Sequence, residues 1–220
     1  MEWAAVWVSL RLAFFTTLIL TVFGLPLAWW LARSQRRWLF VIEAVVALPM
    51  VLPPTVVGFY MLMLLGPYSP VGAAWSDATG APLPFTFTGI LIASVVFNLP
   101  FAVRPFVAGF SAVDRRFVEA SWSLGVSRTA TFCRIVAPLA WPGILTGMVL
   151  TFAHTIGEFG VVLMVGGNIP GVTQTLSILI YDEVQAINYA VANRTSLALL
   201  LSSFSLLCGI FASQRRFMPV

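Results

Sequence analysis

Five stretches of this chain are almost free of charge, and each is long enough to cross a bilayer. Leu12 to Ala32, Ala44 to Ser76, Ala78 to Val103 and Thr195 to Gln214 carry no charged side chain; Ile135 to Gly157 lacks Arg, Asp and Glu. A spanning helix needs about 20 mostly apolar residues. Only 9% of the 220 residues are charged, whereas soluble domains run near a quarter, so a water-covered globule is excluded. The apolar fraction of 60% excludes disorder, and 14 Pro with 16 Gly exclude a coiled coil. The expected fold is all-α, a polytopic integral membrane protein with helices near 8–31, 42–65, 87–109, 139–164 and 195–213. Pro and Gly inside these runs are tolerated because neighbouring helices satisfy freed backbone groups.

The cations give the direction. All twelve are Arg, and nine of them (33, 36, 37, 115, 116, 128, 134, 215 and 216) fall on one side if the five helices alternate. The positive-inside rule then puts the N-terminus outside and the C-terminus in the cytoplasm of the inner membrane. Arginines dispersed between apolar runs speak for topology and against nucleic acid as a partner, despite a net charge of +4. The start, Met1-Glu2-Trp3, has no basic leader and leads into a run too long for a cleavable signal. Two distant cysteines imply no disulfide framework, and one His without a His/Cys cluster implies no metal site. Residues 1–220 read as a single membrane domain. Within it, 173–193 has helical spacing but carries Asp182 and Glu183, which suits a helix lying at the outer interface or dipping between spans.

Residues 111–138 form the one sizeable loop on the Arg-rich side. Phe117, Ala120 and Leu124 recur at helical spacing, with Arg115, Arg116, Glu119 and Ser123 on other faces. Gly125 is placed to end that helix in a left-handed conformation. A second helical stretch, Thr129 to Val136, then runs up to Pro138. Two readings stand: an elbow projecting from the membrane, or a helix lying flat on the headgroups.

These residues resemble the EAA loop of type I ABC importer permeases: Glu119-Ala120-Ser121, Gly125 six residues after the Glu, Ile135 ten later and Pro138 three beyond. Ser121 stands where that family usually has a second Ala, and Ala137 where it has Leu. The resemblance implies that Arg115, Arg116, Glu119, Ala120, Ser121, Gly125, Ile135 and Pro138 belong to a coupling helix docking on an ATPase subunit. The residues themselves support a separate motor. A Walker A loop needs a Lys on the phosphates, and this chain has none, so ATP and Mg would be bound by a partner and no cofactor by this chain.

Further stretches resemble the molybdate/sulfate branch of these permeases. They are Leu48 to Gly58, Gly157-Glu158-Phe159-Gly160, and Asn168 to Thr175 running into Ile180 to Gln185; the last is more similar to the molybdate permeases. The resemblance implies a non-enzymatic transport subunit working as two copies with two ATPases and an external molybdate-binding protein. Sulfate, thiosulfate and tungstate are the alternative cargoes. An ion-coupled carrier is the alternative from another class, but it would need inverted repeats or several embedded carboxylates.

Two sets of residues are candidates for the pathway or gate. Pro53, Pro54 and Thr55 interrupt the second span; the interruption either offers a helix end to an anion or only shapes packing. Thr151, His154, Thr155 and Glu158 form a polar stripe at i, i+3, i+4 and i+7, continued by Gly143 and Gly147, which permit close helix approach. The stripe is expected to line the path on a two-fold axis. Glu158 is expected to pair with His154 or Arg104 rather than touch an anion, since embedded ionisable groups turn inward toward partners. The resemblance places an Arg where His154 stands.

Overall fold

The computed structural model describes residues 3–217, and side chains through 205 and 207–209. Met1 and Glu2 of the expected non-cleaved start, and the side chains of Arg215 and Arg216, lie outside it. Eleven α-helices follow one another, and no strand occurs among the described residues. α1 (Trp3–Arg33), α5 (Phe87–Ser111) and α11 (Tyr189–Phe217) are long and apolar enough to cross a membrane. So is the helix running from Arg128 to Gly157.

The second span is broken. α2 (Leu39–Val51) and α3 (Pro54–Leu65) meet at 112°. Leu52 and Pro53 are extended, and Pro53 and Pro54 supply no backbone N–H to continue the ladder. Pro54 sits in the first turn of α3, where a missing N–H costs nothing. A short helix not anticipated from sequence, α4 (Pro70–Thr79), follows; Ser69 caps its start and left-handed Gly80 its end.

The elbow is α6 (Arg115–Ser123), a glycine turn and α7 (Arg128–Thr131). A π-helical turn, Phe132–Val136, joins α7 to α8 (Ala137–Gly157) without a break. Pro138 therefore lies inside a continuous helix, just after the π turn. The expected span 139–164 also ends early. Glu158 is extended, and the chain restarts as α9 (Gly160–Gly166). α10 (Leu176–Gln185) is ten residues, too short to cross, and buries Leu176 and Leu179 against Ala5 of α1. Its acids are held locally, Asp182 by Asn168 and Gln174, and Glu183 by Asn188.

Helices bathed in lipid gain little from hiding apolar surface, so they associate through close packing. The α5–α8 crossing shows it. A Cβ on Gly143 would fall 2.5 Å from Gly109 Cα and 2.8 Å from Pro105 O. A Cβ on Gly147 would lie 2.5 Å from the ring of Phe106, which is fully buried. The outer surface carries large apolar side chains such as Phe14, Phe23, Phe40 and Leu200, the composition a lipid-facing surface requires.

Candidate functional site

Two regions carry the sequence-predicted residues. The first is the elbow. Asp114 accepts from Arg116 N at 2.9 Å and starts α6; Ser127 accepts from Ala130 N and starts α7. Between them Gly125 has φ of +76°, Gly125 N donates to Trp122 O at 2.9 Å and Val126 N to Ser121 O at 3.1 Å. That pair of bonds is a Schellman turn, which satisfies the helix-end carbonyls. The arms are also pinned side to side. Thr131 donates its hydroxyl to Ser127 O, so the 2.8 Å contact between Ser121 and Thr131 has Ser121 as donor.

The apolar face of α6 does not lie where the periodicity suggests. Val118 and Ser121 are its buried residues, with Val118 in the core beside Val113 and Val136. Phe117 is 56% exposed, Leu124 83%, and Ala120 and Glu119 are exposed beside them. Arg115 and Arg116 are exposed, Ile135 is half-buried and Pro138 exposed. The periodic residues present an apolar patch outward, framed by charge.

The second region is the break between α8 and α9. Glu158 is buried, and its carboxylate accepts from Ser94 Oγ and from Asn98 Nδ2, both on α5. Asn98 Nδ2 also donates to Ser94 O at 2.8 Å. Its amide is thereby oriented, which leaves Oδ1 to accept from His154 Nδ1–H at 2.9 Å. The imidazole stacks on Phe101 with centroids 3.8 Å apart, and its remaining nitrogen, Nε2, is free of this network. His154 and Glu158 approach at 3.9 Å, while exposed Arg104 makes no ion pair with Glu158. Of the two partners expected for Glu158, then, His154 is adjacent and Arg104 is not, and the hydrogen bonds come from Ser94 and Asn98.

Thr151 and Thr155 are buried, and the glycines that continue their stripe pack against α5 of the same chain at the Gly143–Gly109 contact. His154 alone of the stripe is half-exposed. Pro53, Pro54 and Thr55 are exposed at the start of α3. A Cβ on Gly160 would sit 3.0 Å from Pro54 Cβ, and one on Gly58 3.2 Å from Val161 Cα. These successive contacts set α3 and α9 side by side in the same direction, so two helix N-termini open next to the Glu158 break. Sequence reasoning missed Asn98 as the centre of this network. The available signal was a Ser and an Asn at i, i+4 inside an uncharged span, a spacing that puts both on one helix face.

The third stretch, Asn168 to Gln174, forms a clasp. Gln174 Nε2 donates to Asn168 Oδ1 at 2.8 Å and to Asp182 Oδ2 at 3.3 Å, tying the turn to α10.

Comparison with known proteins follows the same lines. The chain is 47% identical over 212 residues to the molybdenum transport system permease protein ModB of Azotobacter vinelandii, covering 96% of this chain and 94% of that one. It is 35% identical to the ModB protein of Escherichia coli K12, covering 84% and 80%. Its fold matches a chain of the inward-facing MetNI methionine ABC transporter with a TM-score of 0.76 at 17% identity, over 100% of this chain and 97% of that one. The family of binding-protein-dependent transport system inner membrane components matches residues 24–218, and this multi-pass chain belongs to it.

Proposed function

We propose that the chain is the membrane-crossing subunit of an ATP-driven importer that carries molybdate into the cytoplasm by alternating access. It performs no catalysis of its own. Two copies form the pathway, an ATPase subunit carrying ATP and Mg docks on each elbow, and an external molybdate-binding protein delivers the anion. The N-terminus lies outside and the C-terminus in the cytoplasm, which sets the arginines of the elbow on the inner face.

The observation that carries this reading is the elbow. Phe117, Ala120 and Leu124 stand exposed on a helix whose ends are capped and whose inner face is already packed. An apolar patch held rigid and uncovered fits a docking partner. From the turn, helix runs unbroken from Arg128 to Gly157, about 45 Å at 1.5 Å per residue. A push on the elbow therefore reaches the Glu158 break with no hinge between, and rigid-body rocking of α8 is passed through the break to α9, whose start lies beside that of α3. Those helix starts offer partial positive charge to an oxyanion. The role of Glu158 is to hold Asn98, and through it the imidazole. Molybdate as cargo is supported by the names of the relatives.

The test is reconstitution of the chain with its ATPase in vesicles. Gly125→Val and Glu119→Gln should insert normally yet lose uptake relative to ATP hydrolysed. Uptake of labelled molybdate should be competed by tungstate and far less by sulfate. Uphill uptake by the chain alone, without an ATPase, would overturn the reading in favour of an ion-coupled carrier.

A further inference from the structure

Between α1 and the elbow lies an open groove of about 930 Å³, which shares Arg115 and Glu119 with the coupling helix but is floored by α1. Its floor is apolar, made by Val22, Leu25, Pro26 and Trp29 of α1 and Phe132 of the π turn. Its rim carries three guanidiniums, from Arg33, Arg115 and Arg128, against one carboxylate, from Glu119. Arg33 lies 4.6 Å over the ring of Trp29, and Arg128 5.7 Å over Trp122. Among the described residues the ion pair found is His154–Glu158, so no carboxylate holds any of the three. Arg33 Nη2 is buried with no hydrogen-bond partner.

The shape adds a length to this charge. From Val22 to Arg33 the helix rises about 16 Å, close to the ~15 Å depth of hydrocarbon in one leaflet. A small free anion would use the rim and leave that floor without a match. A molecule with a phosphate at one end and an alkyl chain at the other uses both, and the membrane supplies one.

We propose that this groove is a binding site for an anionic phospholipid. Its phosphate sits among Arg33, Arg115 and Arg128, and one acyl chain lies along Val22, Leu25, Pro26 and Trp29. Basic pockets between membrane helices take such headgroups by charge, and each Arg near the surface adds to the attraction. The site stands apart from the identity of the transported anion.

Native mass spectrometry of the full chain in detergent, titrated with phosphatidylglycerol or phosphatidylcholine, reads it directly. Phosphatidylglycerol should be retained at concentrations on the order of tenfold lower than phosphatidylcholine. Inorganic phosphate should not displace it. The double substitution Arg33→Gln with Arg128→Gln should erase the preference, and Arg33→Lys with Arg128→Lys should keep most of it. Independently of any charge variant, phosphatidylglycerol brominated on its acyl chain should quench the emission that is lost in Trp29→Phe. Equal retention of the two lipids overturns the proposal, as does displacement by phosphate, which would make this a small-anion site. Cross-linking between copies at Val22→Cys with no lipid retained would assign the groove to a second copy instead.

Discussion

The elbow and the Glu158 break are joined by one helix and built on opposite plans. At the elbow, caps and one hydroxyl pair fix the backbone, while the large side chains Phe117, Trp122 and Leu124 face outward. At the break the backbone is interrupted, and side chains fix one another: Ser94, Asn98, His154 and Glu158 form a network that satisfies the buried carboxylate and leaves only the outer nitrogen of the imidazole outside it. A region that completes its own bonds serves as a fixed reference. A region that keeps its shape and leaves its surface bare suits the docking role proposed for it.

Substitutions that strike one plan and spare the other test this division. Asn98→Leu removes the centre of the network and strands a buried carboxylate, which should cost about 3 kcal/mol or more. Thermal unfolding in detergent should show the largest fall in Tm of the series, with ATPase association unchanged in whatever protein remains folded. Gly125→Val forces a β-branched residue to a φ of +76° where no neighbouring atom lies in the way, so the penalty is conformational, about 1–2 kcal/mol. Its unfolding should shift modestly while uptake per ATP collapses. Ser121→Ala breaks one hydrogen bond between the arms at about 1 kcal/mol. Coupling should be largely retained, because the arms stay joined by the turn; the change should appear as faster amide exchange around Ser127 to Thr131. Leu124→Ser touches only exposed surface, and its stability should stay within about 0.5 kcal/mol of the parent. Co-purification of the ATPase should fall sharply, and retention of it at parental levels would remove the docking role from this patch.

The long helices were legible because charge is excluded from hydrocarbon, a rule that needs no knowledge of neighbours. The stops at Pro53 and Gly125 were legible because each residue carries its own backbone constraint. Close helix approach at Gly143 and Gly147 was legible because neither carries a side chain, but not that α5 is the helix approached. What stayed hidden depends on a second element. Asn98 has no local signature that names Glu158, 60 residues on, as its partner. Periodicity in α6 identified an apolar face but not what it faces: Phe117 and Leu124 look outward while the smaller Val118 and Ser121 pack inward. In a chain built to be joined by others, apolar spacing marks a contact without saying whether the contact is internal.

The π-helical turn at Phe132–Val136 sets the bearing of the whole lever. Such a turn holds one residue more than the regular spiral around it, and a regular α-helix advances by about 100° per residue. Removing a single residue there, Cys133 for instance, would let the spiral close and swing the protruding arm about a quarter-turn relative to the imidazole of His154. Every other side chain would be retained and the lever would point elsewhere. In this stretch, residue count matters more than residue identity, so deletions should be far less tolerated than exchanges.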